Sequence, residues 1–149
     1  MRIVIASDHA GFDYKEMIIN HLHTKDFHIE NLTIEDLGPF SKESFDYPDS
    51  AHAVANKLVQ SQADFGILIC GTGIGMCIAA NRHIGIRAAL CHDEFSARAT
   101  RLHNDANVLC LGARITGESL ALSIVDTFFA STFEGGRHIK RIEKIEKFL

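Results

Sequence analysis

Positive charge is in short supply in this sequence. Fifteen lysines and arginines stand against 19 acidic residues in a chain of 149, which gives a formal net charge of −4. Bulk charge of this sign does not attract DNA, RNA or an anionic membrane surface. We therefore expect no nucleic-acid or membrane partner, and any site for an anion must be local.

Long hydrophobic segments are also missing. The apolar start of the chain, residues 1–8, is too short for the hydrophobic region of a signal peptide. The uncharged segment 65–81 is shorter than a membrane-spanning helix and is interrupted by four glycines. The sequence predicts neither a targeting segment nor a membrane span.

Cysteine is scarce, and the four cysteines form no Cys-x-x-Cys pair. A chain of this length buries roughly 68–70% of its unfolded surface and needs no disulfides to fold. Reduced thiols and a cytoplasmic location are expected. With 46% hydrophobic and 23% charged residues, and no repeat, low-complexity tract or long linker, the chain is predicted to form a single ordered domain over residues 1–149.

Short β-branched runs alternate along the chain with segments of helical period. The predicted strands are 3–6, 29–37, 65–70, 86–90 and 108–111. The predicted helices with defined bounds are 12–22, 74–81, 94–102, 118–130 and a late amphipathic helix at 139–149. A further helix is predicted to begin near Pro48, with Ala51, Val54, Ala55 and Leu58 on its inner face. This alternation predicts an α/β protein with a three-layer, Rossmann-like, doubly wound, five-stranded parallel sheet and an extra C-terminal helix. The late helix follows a complete sheet, so a partner subunit is a plausible surface for it.

Ligands of open parallel sheets bind beyond the carboxyl ends of the strands, so the residues at those ends are the first candidates. The first strand is followed by Asp8 and His9, a carboxylate and an imidazole that can hold hydroxyls or an anion. Helix capping by Asp8 or Ser7 explains the same residues equally well.

The third predicted strand ends in Cys70-Gly71-Thr72-Gly73-Ile74-Gly75-Met76. Alternating glycines allow positive φ and direct backbone N–H groups into an anion-binding turn at a helix N-terminus, where a cysteine thiolate is also favoured. The turn is not a dinucleotide fingerprint, because Met76 occupies the place of the third glycine, and it lacks the Gly-Lys-Ser/Thr of a P-loop. Asp93, about twenty residues further on, keeps a nucleotide site open as an alternative.

Two later clusters are polar. Arg101-Leu102-His103-Asn104-Asp105 precedes the fifth strand, and His103 is an acid/base candidate, although His-Asn-Asp is also a good turn. Arg137 and Arg141, four residues apart, would share one helical face and could hold a phosphate, although unpaired surface arginines are equally common.

The remaining thiols and imidazoles carry no site prediction. Cys77, Cys91 and Cys110 fall at core positions of a helix and two strands. The other histidines lack metal-ligand spacing, so no metal is expected; they are His21, His23, His28, His52, His83 and His92.

Taken together, the motifs resemble the family of ribose-5-phosphate isomerase B and galactose-6-phosphate isomerase. The matching segments, in the family's order, are Ser7-Asp8-His9-Ala10-Gly11-Phe12, Asp46-Tyr47-Pro48, residues 67–75 with Ile78-Ala79-Ala80-Asn81, Gly85-Ile86-Arg87-Ala88, His103-Asn104-Asp105-Ala106-Asn107-Val108, and Glu134-Gly135-Gly136-Arg137-His138 with Arg141.

The resemblance implies interconversion of ribose 5-phosphate and ribulose 5-phosphate through an enediolate, with no metal or organic cofactor. It implies that Cys70 is the base between C2 and C1, that His103 opens the furanose ring and that Asp8 assists at the ring hydroxyls. Some members of the family lack this cysteine and use a glutamate at the position equivalent to Met76. A methionine cannot take a proton, so the resemblance assigns this chain to the members that use the cysteine. The implied contacts of the substrate are the turn Gly71, Thr72, Gly73, Ile74 and Gly75 at the enediolate oxygen, His9, Arg137 and Arg141 at the phosphate, Asn104 at a sugar oxygen, and Tyr47 near the sugar.

The resemblance also implies a homodimer, in some members paired into a tetramer, in which His103 and Asn104 serve the neighbouring subunit's Cys70. Two alternatives stay open. The first is that the substrate is allose 6-phosphate or galactose 6-phosphate. The second is that the chain is a non-catalytic module that binds a phosphate or a nucleotide. The second alternative leaves Cys70 and His103 without a task.

Overall fold

Five parallel strands with helices on both faces make up the computed structural model, which describes residues 1–24 and 31–147. The strands are β1 Arg2–Ser7, β2 Thr33–Asp36, β3 Phe65–Cys70, β4 Ala88–Leu90 and β5 Val108–Gly112. The helices are α1 Phe12–Thr24, α2 Tyr47–Val59, α3 Ile74–Ala80, α4 Glu94–Asn104, α5 Glu118–Ala130 and α6 Ile139–Glu146, with a short 3-10 helix, Gly136–His138, before α6. The predicted fold class is confirmed.

The strand order is β2-β1-β3-β5-β4, and every neighbouring pair is parallel. The chain steps from β1 to β2 in one direction and then crosses back over β1 to β3. This reversal opens a crevice at the carboxyl ends of β1 and β3, because the helices that follow these two strands, α1 and α3, pack on opposite faces of the sheet. The topology therefore places the first and third strand ends side by side.

The sheet is buried on both faces, which explains why its strands are continuously apolar. Ile3 and Ile5 pack toward α1 and α5, and Val4 and Ala6 pack toward α2 and α3. The predicted inner face of α2 is confirmed at Ala51, Val54 and Ala55, all fully buried, with Leu58 packed at the edge of the same cluster.

Several predicted boundaries shift, most by one or two residues. Of the strand predicted at 29–37, the part at Thr33–Asp36 is confirmed, and residues 25–30 lie outside the described part of the chain. The fourth strand begins at Ala88 instead of 86, because the Arg87 N–H bonds the Asn107 side chain at 2.8 Å instead of a neighbouring strand.

The fourth helix was predicted to end at 102 but continues through Asn104, closing with Asp105 at φ 46°. His103 and Asn104 are therefore residues of the last helical turn and not of a loop. The late helix begins at Ile139 as predicted and ends at Glu146; residues 148 and 149 lie outside the described range. None of the helices described is long and apolar enough to cross a bilayer.

Candidate active site

A cavity of about 510 Å³ lies beyond the carboxyl ends of β1, β3 and β5, at the crevice that the topology creates. The residues that line it are Asp8, Tyr47, Cys70, Gly71, Thr72, Ile74, Gly75, Ile78 and Arg114. Besides Cys70 and Asp8, five of the predicted substrate-binding residues line this cavity, namely Tyr47, Gly71, Thr72, Ile74 and Gly75. The volume is of the size that holds a small organic ligand.

The thiol of Cys70 ends β3 and is 4% exposed. The Gly73 N–H donates a hydrogen bond to its sulfur at 3.0 Å. Gly73 is the N-cap of α3 at φ 77°, a left-handed conformation that side chains other than glycine rarely adopt. The predicted turn is therefore present, but of its three glycines Gly73 alone uses positive φ.

Asp8 lies both at the turn before α1 and at the wall of the cavity. Its Oδ1 accepts the N–H groups of Ala10 at 2.9 Å and Gly11 at 3.0 Å, so the carboxylate closes the turn before α1. The same side chain lines the cavity beside Cys70. A carboxylate fixed by two amides is held in a defined orientation toward any molecule in the cavity.

His9 lies at the same end of the sheet and is exposed. Its Nδ1 lies 3.3 Å from the backbone nitrogen of Phe45, from which it can accept, and 3.4 Å from the Phe45 carbonyl, to which it can donate. His9 does not line the cavity with Asp8. It directly follows Asp8 in the chain, and a binding role for it stays a prediction.

Tyr47 is the first residue of α2, and its ring packs directly on Gly75. A Cβ at Gly75 would lie 2.6 Å from Cε2 of the tyrosine, so the absence of a side chain there allows the contact. Glycine at this position thus serves close approach and not positive φ. Thr72 is exposed, and its Oγ1 accepts the Ile74 N–H at 3.4 Å.

Arg114 is the charged residue of the cavity that was not predicted from the sequence. The backbone N–H of Arg114 donates to the Gly71 carbonyl at 3.0 Å, and its guanidinium packs against the Gly71 backbone. Of the described residues that line the cavity, Arg114 alone carries a positive charge. Applying the strand-end rule to β5, which ends two residues earlier at Gly112, would have found it.

The other predicted residues lie elsewhere. His103 and Asn104 end α4, Arg137 belongs to the short 3-10 helix, and Arg141 belongs to α6. A helix that follows a parallel strand returns the chain to the amino edge of the sheet, so this group lies at the edge opposite Cys70. The strand between the two edges, β3, spans about 17 Å. Within one chain the predicted site is split into two halves.

The arginine pair does not share one α-helical face, because α6 begins only at Ile139. The two guanidiniums converge instead on the ring of His138: Arg137 Nε is 3.5 Å from Nε2, and Arg141 NH1 is 3.4 Å from Nδ1. Burial, together with His103, Arg137 and Arg141, lowers the pKa of His138 below its ordinary value. The two guanidiniums thus lie on either side of one imidazole, and phosphate binding by them stays a prediction.

Among the described residues, one group of His, Cys, Asp or Glu side chains is close enough to hold a metal ion: His103, Glu134 and His138, with ligand atoms within 4.8 Å of one another. The two imidazole rings are stacked nearly parallel, with centroids 4.6 Å apart, so their nitrogen lone pairs do not converge. The guanidiniums beside His138 also oppose a cation. The sequence-based expectation of no metal stays a prediction.

The alternative of a nucleotide site depended on Asp93 as its acidic residue, and the structure gives Asp93 another role. Asp93 accepts the Ser96 N–H at 2.7 Å and caps α4, which accounts for an aspartate at this position.

The remaining cysteines differ among themselves. Cys91 and Cys110 are buried, and Cys77 is half-buried. A hydrogen bond from Cys110 lowers the pKa of Cys77 to about 7, whereas burial raises the pKa of Cys91 to about 11.

Comparison with known proteins agrees with the sequence motifs. The sequence pattern of the Ribose/Galactose Isomerase family matches residues 3–145. Ribose-5-phosphate isomerase B of Escherichia coli is 44% identical over 144 residues, which cover 97% of this chain and 93% of that protein.

Two solved structures share the fold over nearly the whole chain. A ribose 5-phosphate isomerase of Thermotoga maritima is 51% identical, with a TM-score of 0.91 over 98% of this chain and 97% of that one. Ribose-5-phosphate isomerase B of Mycoplasma genitalium, solved with bound ribulose-5-phosphate, is 46% identical, with a TM-score of 0.89 over 99% and 95%. On this evidence of sequence, fold and site, the chain belongs to the Ribose/Galactose Isomerase family.

Proposed function

We propose that this protein interconverts D-ribose 5-phosphate and D-ribulose 5-phosphate through an enediolate. The observation that carries the proposal is the thiol of Cys70, which lines a cavity at the topological switch point with an amide hydrogen of Gly73 directed at its sulfur. A thiolate accepts such a hydrogen bond better than a thiol does. The relatives that share the fold support the choice of substrate, since one is solved with bound ribulose-5-phosphate.

In the proposed proton transfer, Cys70 removes the hydrogen on C2 of the open-chain aldose. The C–H electron pair forms the C1–C2 double bond, and O1 receives the electrons of the former carbonyl and then a proton. Loss of the O2 proton forms the ketose carbonyl while Cys70 returns its proton to C1. The backbone amides of the turn Gly71–Gly75 and the hydroxyl of Thr72 stabilise the enediolate oxygen. Met76 is fully buried in the core and takes no part.

The furanose ring must open before that step. We propose that His103 donates a proton to the ring oxygen O4 as the C1–O4 bond breaks, while the carboxylate of Asp8 accepts the proton of O1. The bond electrons remain on O4, and the loss of the O1 proton forms the aldehyde. Because Asp8 is held by two amides and His103 lies at the other sheet edge, this pairing needs two copies of the chain.

A homodimer would join the two halves of the site. No residue of α6, all of which are described, is buried, and Ile139 and Ile145 are 47% and 51% exposed. Ile74 and Ile78 are similarly exposed beside the cavity. A second copy that covers these side chains would bring its own His103 toward Cys70. Hydrophobic burial would thereby assemble the site.

The phosphate is proposed to bind where cations gather. His9 directly follows Asp8 of the cavity wall in the chain, and Arg137 and Arg141 of the partner subunit would complete the phosphate site beside it with bidentate hydrogen bonds. Asn104 of the partner subunit would hold a sugar oxygen, and Tyr47 would pack beside the sugar. Arg114 adds a positive charge at the cavity wall, which favours the anionic substrate and the enediolate.

The test is turnover of ribose 5-phosphate by the purified protein in the presence of a chelator, with ketose formation followed over time. Cys70→Ala should lower kcat by about 10²- to 10⁴-fold, the usual contribution of a general base. Cys77→Ala is the matched control, because it removes a thiol that does not line the cavity and should leave kcat within about twofold. Absence of turnover, or equal rates for wild type and Cys70→Ala, would contradict the proposal.

Allose 6-phosphate and galactose 6-phosphate belong in the same assay as competing substrates. Preference for either would assign the chain to the six-carbon substrates. Failure with all three sugars, combined with phosphate binding, would favour the non-catalytic module.

A further inference from the structure

Glu134 occupies a defined place beside the last turn of α4. Its N–H donates to the carbonyl of Leu102 at 3.1 Å, one residue before His103. Gly135 and Gly136 follow at φ 67° and 54° and turn the chain back toward α4. The backbone of this segment therefore brings both Glu134 and His138 to His103.

Two neighbours define the orientation of the His103 ring. His138, whose side chain is 6% exposed, stacks on one face of it at 4.6 Å between centroids and an interplanar angle of 15°. Glu134 Oε2 lies 4.0 Å from Nε2 of His103 and 3.7 Å from Nε2 of His138. One residue holds the plane of the ring, and the other faces its Nε2 edge.

The charges around His103 single out this carboxylate. Arg137 and Arg141 bracket His138 and disfavour a charged imidazolium there. The nearby Asp105 is already paired with Arg87 and Arg101, at 3.2 and 2.7 Å. Among the described residues, Glu134 is the carboxylate that forms an ion pair with His103.

A carboxylate beside an imidazole selects the tautomer that carries hydrogen on the facing nitrogen and stabilises the imidazolium. The 4.0 Å separation is that of an ion pair, and the half-exposed side chains of Glu134 and His103 can close it to a hydrogen bond by rotation. Opening of the furanose ring needs a proton donor at His103. The same carboxylate that orients the ring therefore also favours its donor form.

We propose that Glu134 is a positioning residue for ring opening, which accepts the Nε2–H of His103 and stabilises the imidazolium, so that Nδ1 is the nitrogen that donates its proton to the sugar. The inference rests on the proposed function, since it assigns Glu134 a role in one step of that reaction. It requires loss of the carboxylate to impair turnover of the cyclic sugar and to spare the subsequent proton transfer at C1 and C2.

Two substrates separate these steps. Ribose 5-phosphate is largely a furanose, whereas 4-deoxyribose 5-phosphate lacks the hydroxyl that closes the ring and stays open. Glu134→Gln should lower kcat on ribose 5-phosphate by on the order of tenfold, a typical loss for a residue that orients a functional side chain. It should leave kcat on the 4-deoxy sugar within about twofold, and His103→Ala should show the same selectivity more strongly.

The matched control is Glu143→Gln, which removes the same charge from an exposed position on α6. Its kcat on both sugars, and the thermal midpoints of both glutamine variants, should equal those of the wild type. Glu134→Gln with unchanged kcat on ribose 5-phosphate, or with equal losses on both sugars, would overturn the proposal.

A spectroscopic measurement tests the positioning without turnover. In ¹⁵N-labelled wild-type protein above the titration of the ring, long-range ¹H–¹⁵N correlations should show His103 as the Nε2–H tautomer, and Glu134→Gln should show a mixture. Identical tautomer populations in the two proteins would overturn the role of Glu134. Failure of the wild type to turn over either sugar would instead reject the proposed function, and the tautomer result would stand as the separate test.

Discussion

Cys70 and His103 lie at opposite ends of one parallel sheet. Cys70 is the last residue of β3 at the carboxyl edge, and His103 is in the last turn of α4, which has brought the chain back to the amino edge. The six residues of β3 separate them by about 17 Å along the strand. A reaction that uses both side chains at one sugar must therefore take them from two copies of the chain.

Mixed dimers test this arrangement directly. Cys70→Ala and His103→Ala chains, co-expressed with different tags and purified through both tags, should give dimers in which one site has lost both groups and the other is intact. Such dimers should regain about half of the wild-type kcat per dimer, although each parent variant is impaired. If the mixed dimers are as impaired as their parents, the site is not shared between subunits.

Arg137→Ala should chiefly raise KM for ribose 5-phosphate. A charge-assisted hydrogen bond to phosphate acts in both ground state and transition state, so its loss raises KM by about 10-fold or more and changes kcat little. Steady-state kinetics measures both constants. Lys140→Ala, an exposed cation three residues away, is the control, and an unchanged KM in Arg137→Ala would refute a phosphate role.

Arg101 should stabilise the end of α4. Its NH1 donates to Asp105 Oδ1 and to the Ala106 carbonyl, both at 2.7 Å, and its guanidinium lies 4.8 Å above the ring of Phe65. Arg101→Met leaves a buried carbonyl without its donor and should lower the free energy of unfolding by about 2–3 kcal/mol in urea titrations.

The control for that experiment is Arg98→Met on the exposed face of the same helix, which should stay within about 0.5 kcal/mol of the wild type. Equal stability of the two variants would show that the Arg101 contacts contribute nothing measurable.

The rate at which Cys77 is alkylated should rise as the pH passes through neutrality. In a Cys70→Ala background, the fraction of Cys77 thiolate rises with pH through its pKa of about 7, and its rate of reaction with iodoacetamide should rise with it. Peptide mass spectrometry over pH 5–10 gives this rate for each cysteine (about the range in which thiols titrate). Cys91, with a pKa of about 11, should stay unreactive over most of it.

The hydrogen bond from Cys110 is the largest cause of the lowered pKa of Cys77, so Cys110→Ala should move the reaction midpoint to higher pH. A midpoint near the ordinary thiol value of 9.0 in the presence of Cys110 would be inconsistent with that hydrogen bond.

Several elements of the site were predictable because they depend on local sequence. The apolar run of β3 and the glycines after it place Cys70 at a strand end and give Gly73 its left-handed turn. Asp8 follows from the same rule at β1. The extension of α4 through His103 was missed, because a polar His-Asn-Asp segment is compatible with either a turn or a helix end.

Arg114, Glu134 and the stacking of His138 on His103 were not assigned from the sequence. Arg114 reaches the cavity only because β5 lies next to β3, although β4 precedes it in the chain. Glu134 meets His103 across about thirty residues, through a backbone hydrogen bond to Leu102. Neither relation leaves a periodic signal in the sequence.

By itself, the sequence determined the alternation of strands and helices, the ends of the strands that carry Asp8 and Cys70, and the local glycine turn, since burial and backbone conformation act over a few neighbouring residues. The tertiary structure alone decided the strand order, the addition of Arg114 to the cavity and the separation of Cys70 from His103. These depend on which distant segments pack together, because side chains far apart in sequence become neighbours only when the sheet and its covering helices bury their apolar faces.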